Sequence, residues 1–341
     1  MKKILNNKPL RFALSMILVL AVILILDKSL IQNLKNSQVN IINCAFIFFF
    51  AVSGMYLLLG LGGLMTMHAI AFMGFSAFVT GFLNTKMDVP IMLAMLCAIA
   101  ATAVLSFIVG APLLRLDGRA LMFGTMGIIY IGTSIFQNFF AFTGGPNGTS
   151  GIEKIVLFGH KFGTFKDWFV LLAILAVLIV LLMRRIKNTS FGRSLMAIRD
   201  DATAAQCMGV NVYRTKVIAF VIAGTLTGFG GALYAVHNGT ISASLFSFAT
   251  QTKFLIMLML GGVMSPVGTL FGCVLVNYLP EIARAAASYL NMLYGAMIVL
   301  MMIFMPMGLA GIGRDFTSKI RHNLKKKLAK KAETTAAKEG N

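Results

Sequence analysis

Acidic side chains are scarce in this sequence: 11 Asp and Glu stand among 341 residues, and charged residues of both signs make up only 12%. A soluble globular domain carries about 25%. With 58% hydrophobic residues and a mean hydropathy of +0.85, the shortage of charge excludes a soluble enzyme and a disordered chain. Cysteine is rare too, and Cys44, Cys97, Cys207 and Cys273 lie far apart. That spacing gives neither a disulfide framework nor a CxxC metal site, so these residues are expected to pack as small buried apolar groups. The four histidines (His68, His160, His237 and His322) are dispersed and form no H-E-x-x-H. No Gly-Lys pair occurs anywhere, which removes the phosphate loop G-x-x-x-x-G-K-[ST] and with it a nucleotide site. Neither a metal nor a cofactor is expected.

What the chain has instead is long apolar runs. Roughly 20 apolar residues cross a bilayer as a helix. Polar, Gly and Pro punctuation divides the chain into runs at 12–26, 41–60, 64–83, 90–114, 119–141, 168–183, 217–236, 253–263, 267–284 and 289–307. The expected fold is therefore an all-α polytopic membrane protein of about ten transmembrane helices, some short or broken. Residues 1–313 form the membrane domain, with a cytoplasmic segment at 184–216, and 314–341 form a basic cytoplasmic tail. Lys2, Lys3, Lys8 and Arg11 before the apolar run Phe12–Leu26 imitate a signal peptide. Leu26-Asp27-Lys28-Ser29 offers no small-x-small cleavage site, so an uncleaved first membrane helix is expected.

The net charge of +19 does not point to nucleic acid, because the cations lie between and beyond the apolar runs and leave no polar domain to carry a basic face. Of the 30 Lys and Arg, 22 fall in segments on one side of the ten-helix arrangement and 8 on the other. The positive-inside rule then puts both termini in the cytoplasm. Asp27, Asp88, Asp117, Asp167 and Glu281 all fall at span ends or in loops, and only His68 lies inside a span. A charged group at mid-bilayer costs about 2.5–3.5 kcal/mol on insertion scales and persists chiefly where it works. Its absence argues against proton coupling, although a Na⁺ site of backbone carbonyls escapes this test. Gly148-Thr149-Ser150-Gly151 matches the G-x-S-G of a membrane serine protease, but it lies in the turn-rich loop Gly144–Gly148 with no embedded base. If the protein moves a solute uphill, the energy comes from another polypeptide.

The 33 glycines cluster at Gly60-x-Gly62-Gly63, Gly228-x-Gly230-Gly231, Gly261-Gly262 and Gly268-x-x-x-Gly272. Small residues let membrane helices approach closely, and glycine pairs also break helices at a substrate path. A break is expected at Gly261, Gly262, Ser265 and Gly268, where Ser265-Pro266 separates two runs too short to span comfortably. Between the sixth and seventh runs, Arg193–Met208 reads as one helix. It has small residues on one face (Ala197, Ala204, Ala205, Met208), Arg199, Asp200 and Asp201 between them, and Gly209 as its C-cap. Such a helix suits docking into a groove on a partner; the alternative reading is an amphipathic linker lying on the membrane.

The stretch Gly192–Val212 (G-R-S-L-M-A-I-R-D-D-A-T-A-A-Q-C-M-G-V-N-V) resembles the coupling loop of ABC importer permeases, with Ala204-Ala205-Gln206-Cys207-Met208-Gly209 as its A-A-x-x-x-G core. More narrowly it is similar to the permeases of branched-chain amino-acid importers. Gly224–Tyr234 (G-T-L-T-G-F-G-G-A-L-Y), Gly261-Gly262-x-x-Ser265-x-x-Gly268-x-x-x-Gly272 and Thr143-Gly144-Gly145-Pro146-Asn147-Gly148 resemble further stretches of that family in the same order.

The resemblance implies an ABC importer permease fold and alternating access without bond chemistry. Two cytoplasmic ATPase subunits dock on Arg193, Ala197, Arg199, Asp200, Asp201, Ala204, Ala205 and Gly209. A second homologous permease, or a second copy of this chain, completes the pore, and a periplasmic or lipid-anchored binding protein delivers the solute. Thr66, His68, Gln137 and Asn138 are the expected path residues. The chain departs from the family pattern at His68-Ala69, at Asp117–Met122 and at Met264, all close to the expected path. Related permeases carry nucleosides, sugars or urea-like amides, so the resemblance leaves those solutes open beside Leu, Ile and Val. A self-sufficient carrier or channel is the competing class, distinguished by transport without ATPase subunits.

Overall fold

The computed structural model describes residues 36–282, apart from 117, 158, 159 and 162, together with Gly295. The first expected span, the tenth apart from Gly295, and the basic tail lie outside the described residues. The other eight runs each fold into helix. They are α1 (Asn36–Met55), continued by a π turn (Tyr56–Leu61), then α2 (Ala69–Lys86), α3 (Ile91–Leu113), α4 (Gly118–Asn138), the single turn α5 (Phe140–Thr143) and α6 (Phe165–Asn188). After α7 (Ser190–Asp200) and α8 (Ala202–Cys207) come α9 (Val212–Asn238), α10 (Phe248–Gly261) and α11 (Pro266–Ile282). Among the described residues, five helices are long and apolar enough to cross a membrane: α1 with its π turn, α3, α4, α6 and α9. The architecture is the all-α polytopic one read from the runs.

Helix ends differ from the run ends for local reasons. An apolar run marks the thickness of hydrocarbon, whereas a helix continues until a cap or a turn ends it. Thus α6 starts at a Thr164–Asp167 cap, where the Thr164 amide donates to the Asp167 carboxylate (3.3 Å), and extends four or more residues past its apolar stretch, with Arg185 and Lys187 in the last turn. Cations there complement the negative end of the helix dipole. Likewise α9 begins at Asn211, whose Oδ1 accepts from the Arg214 amide at 3.0 Å. The expected span 64–83 instead begins at Ala69. Gly63 (φ 67°) turns the backbone out of helical geometry, and the stretch after it is not helical until Ala69. The expected span 119–141 breaks at Phe139, whose backbone (φ −90°, ψ 71°) separates α4 from α5.

The centre of the bundle is α9, packed on α1, α2 and α3. Three glycines one or two turns apart make this possible. A β-carbon on Gly224 would lie 1.8 Å from Ser106 Oγ, one on Gly228 2.9 Å from Thr102, and one on Gly231 2.1 Å from the Met73 carbonyl oxygen. These clusters serve close packing. Ser76 Oγ donates to the Gly228 carbonyl at 2.6 Å across the same interface, and Thr102 and Ser106 return their hydroxyls to the carbonyls one turn back (both 2.7 Å).

Two short antiparallel pairings, Thr149–Ser150 (β1) with Thr240–Ile241 (β4) and Val156–Leu157 (β2) with His160–Lys161 (β3), close one end of the bundle. Ser150 is exposed in this pairing. The pair α7–α8 closes the opposite end. At the strand end, Asn43 Nδ2 donates to the Phe165 carbonyl (2.7 Å), tying α1 to the start of α6. All four cysteines are free, but only Cys273 is buried: Cys97 and Cys207 are exposed. Cys97 shares the outward apolar face of α3 with Leu93, Leu96, Val104, Phe107 and Ile108.

Candidate coupling and translocation site

Residues 190–207 do not form the single helix expected from their composition. Asp201 leaves helical geometry (φ −157°, ψ 112°) and starts a second helix, its Oδ1 accepting from the amides of Thr203 (2.8 Å) and Ala204 (3.0 Å). A short side chain that bonds the backbone two and three residues ahead favours an N-cap over a helix interior. Asp201 is thus the elbow between α7 and α8. Upstream, Thr189 Oγ1 caps α7 by accepting from the Gly192 amide at 3.2 Å. Gly209 closes α8 in left-handed geometry (φ 85°), with Val210 N bonded to Ala205 O (3.1 Å) and Gly209 N to Gln206 O (3.0 Å), the double pattern of a Schellman cap.

The elbow has two faces. Gly192, Leu195, Ile198 and Ala205 are buried against the bundle, while Ala197, Asp200, Thr203, Ala204 and Cys207 are exposed. Met208 is 85% exposed, the most exposed large apolar side chain among the described residues. The small-residue face therefore splits, with Ala205 turned inward and Ala197, Ala204 and Met208 outward. Beside them Gly209, Asn211, Tyr213, Leu114 and Arg115 line an open cleft of about 620 Å³. Tyr213 fixes its wall by donating to the Ala111 carbonyl at 2.8 Å.

Arg193 and Arg199 go different ways. Arg193 stays local, donating to the Asn188 carbonyl (2.9 Å). Arg199 stays exposed but lies across the end of the bundle, where its Nη1 donates to the Gly60 carbonyl (2.7 Å) and to Met264 Sδ (2.8 Å). Gly261, Gly262, Ser265 and Gly268 lie at the turn joining α10 to α11. Gly262 (φ 103°) starts the turn, Ser265 N bonds Gly262 O at 3.1 Å, and Ser265 Oγ accepts from the Gly268 amide at 3.3 Å. A β-carbon on Gly261 would lie 2.3 Å from the Gly268 carbonyl oxygen, so α10 and α11 form a tight hairpin.

The four expected path residues do not meet. Thr66 and His68 sit together in the non-helical stretch before α2, with His68 Nδ1 3.2 Å from Thr66 Oγ1. The His68 ring is fully buried between Phe72 (5.5 Å between centroids) and Phe220 (4.9 Å). Two residues that the sequence did not single out hold this stretch. Thr125 Oγ1 accepts from the Met67 amide (2.9 Å) and Gln251 Oε1 from the Ile70 amide (2.9 Å), supplying partners for backbone groups that no helix satisfies. Nothing in a span's hydropathy marks such residues. Gln137 and Asn138 are exposed at the far end of α4, about 18 Å along the helix from Thr125 at 1.5 Å per residue.

Between those points α4 is the least packed of the long helices, only 22% buried over its apolar window. Tyr130, Ser134, Gln137 and Asn138 are exposed along it, and a β-carbon at Gly127 would meet nothing within 4 Å. Exposed polar groups on a membrane helix are costly against lipid.

The branched-chain amino acid transport system permease family matches residues 37–306. The chain belongs to this family. It is 30% identical over 303 residues to the high-affinity branched-chain amino acid transport permease LivM of Salmonella typhimurium, covering 82% of this chain and 71% of that protein. The Escherichia coli LivM is 29% identical over the same shares. The galactose/methyl galactoside import permease MglC of Haemophilus influenzae is 30% identical over 197 residues, 55% of this chain and 56% of that one. No solved structure matches. This ABC permease is a multi-pass transport component of the branched-chain type, and the elbow is the structural form of the stretch that resembles a coupling loop.

Proposed function

We propose that this permease carries branched-chain amino acids across the cytoplasmic membrane by alternating access, driven by ATP hydrolysis on two separate cytoplasmic subunits. The observation that carries this reading is the two-faced elbow: its back is seated on the bundle, while Ala197, Asp200, Ala204 and Met208 face outward beside an open cleft. A rigid, capped projection with an exposed apolar anchor fits insertion into a groove on another protein. An amphipathic linker on a membrane surface would turn its apolar face to lipid rather than to its own bundle. In this reading the elbow and both termini are cytoplasmic, a placement that the distribution of Lys and Arg supports.

The exposed stripe of α4 with Gln137 and Asn138 lines the path, facing a second homologous permease subunit. Thr66 and His68 lie behind it and hold the shape of its inner end. A periplasmic or lipid-anchored binding protein delivers the solute at the strand end. Leu, Ile or Val are favoured over sugars because the LivM likeness spans 82% of the chain and the galactoside permease likeness 55%.

The test is reconstitution in proteoliposomes with candidate ATPase, partner-permease and binding-protein subunits. Leucine uptake that requires all of them and ATP is expected. Uptake by this chain alone would establish a self-sufficient carrier instead, and uptake of a galactoside in preference to leucine would overturn the substrate.

A further inference from the structure

The elbow packs along α9, and it meets the turns of two membrane hairpins at one junction. The α1–π-turn–α2 hairpin and the α10–α11 hairpin both turn at the elbow end, and their turns touch there. A β-carbon on Gly60 would stand 2.3 Å from the Val263 carbonyl oxygen. Two more glycines make room for α7 on top: a β-carbon on Gly62 would lie 2.8 Å from Leu195 Cδ2, and one on Gly63 2.7 Å from Arg199 Cγ. Across this junction Arg199 Nη1 bonds the Gly60 carbonyl in one turn and Met264 Sδ in the other (2.7 and 2.8 Å). The Gly60 carbonyl lies in a π turn that ends α1, where helix-end carbonyls lack intrahelical partners and carry the negative end of the dipole. A guanidinium is suited to it because it keeps its charge and presents several donors in a fixed fork.

We propose that Arg199 is a transmission strap. It fastens the elbow to both hairpin turns at once, so that a displacement of α7 moves the π turn at the end of α1, and through the connection 62–68 the start of α2, together with the α10–α11 hairpin. This inference rests on the elbow being the ATPase-docking element, and it gives Arg199, which is exposed, a role toward the bundle rather than the ATPase contact expected from the sequence. It is a positioning residue: it touches neither solute nor nucleotide.

The experiment uses the complete reconstituted importer and reads three quantities: ATPase subunits recovered with the permease, ATP hydrolysed, and leucine taken up per ATP. For Arg199→Ala, recovery and hydrolysis are expected to remain while uptake per ATP falls about tenfold, the scale of one charge-assisted hydrogen bond. Arg199→Lys, which keeps the charge and can reach one acceptor, is expected to recover part of the ratio. Met264→Leu keeps the volume without the acceptor and is expected to lower the ratio by a smaller factor. Wild-type uptake per ATP in Arg199→Ala overturns the strap. If that variant does not fold, wild-type ratios in both Arg199→Lys and Met264→Leu overturn it. Loss of ATPase recovery in Arg199→Ala also overturns it, by making Arg199 a docking contact, and leaves the permease reading standing. A wild-type chain that recovers no ATPase subunit removes the permease reading and the strap together.

Discussion

Gly231 of α9 presses on the backbone of Met73 in α2, where a β-carbon would come within 2.1 Å of the Met73 carbonyl oxygen. The obstacle is main chain rather than a pliable side chain, so the two helices cannot keep their spacing with anything larger than hydrogen at 231. Gly231→Ala is expected to destabilise the detergent-solubilised protein by about 1–3 kcal/mol, the range for overpacked interiors. A thermal-unfolding midpoint unchanged from wild type would refute this. Gly127→Ala, with nothing within 4 Å, is the control and should leave the midpoint in place.

Asp201 serves the elbow as a cap through the acceptor Oδ1. Asp201→Asn keeps an acceptor for the Thr203 and Ala204 amides and should retain coupled uptake. Asp201→Ala loses both bonds and about 1 kcal/mol of helix stability, and its uptake should fall. Comparing the two variants in one reconstituted assay checks this; equal uptake would assign the residue no capping role.

Gly209 adopts φ 85°, a conformation that costs other L-residues about 1–2 kcal/mol. Proline cannot adopt it and also lacks the N–H that bonds Gln206 O. Gly209→Pro should insert normally yet separate ATP hydrolysis from uptake, while Gly209→Asn, tolerant of left-handed geometry, should stay close to wild type. Membrane-fraction yield and uptake per ATP provide the measurement.

Buried Gln251 holds the first turn of α2 through the Ile70 amide at 2.9 Å. Gln251→Leu preserves bulk but strands that amide, at a cost of about 1–3 kcal/mol. Faster proteolysis or a lower unfolding midpoint is expected, and neither should follow from Thr252→Val on the half-buried side of the same helix.

The α4 stripe yields a labelling prediction. Single cysteines at Ser134 and Gln137, placed in a chain whose own exposed Cys97 and Cys207 are replaced, should react with a water-soluble maleimide, and saturating leucine with binding protein should slow the reaction. A cysteine at Phe107, on the apolar outward face of α3, should stay unreactive in the bilayer. Equal reactivity at all three positions would mean that α4 does not line an aqueous path.

Much of this was written in composition. Apolar runs between polar breaks locate eight of the helices on described residues, because the bilayer demands continuous apolar length whatever the neighbours are. Gly209 as a cap and the Gly261–Gly268 turn were legible because glycine and proline act on the backbone locally. Other features were decided only by contact in three dimensions. Arg199 reads as one more charge on an exposed helix until Gly60 and Met264, 139 and 65 residues away, arrive beneath it. Asp201 reads as a surface acid until the chain bends there. Gln251 and Thr125 carry no pattern, since a single polar side chain gains its purpose from whichever backbone amide the packing leaves unpaired. Hydropathy fixes what enters the membrane, whereas hydrogen bonds between distant segments fix what moves together, and those depend on packing that a linear pattern does not contain.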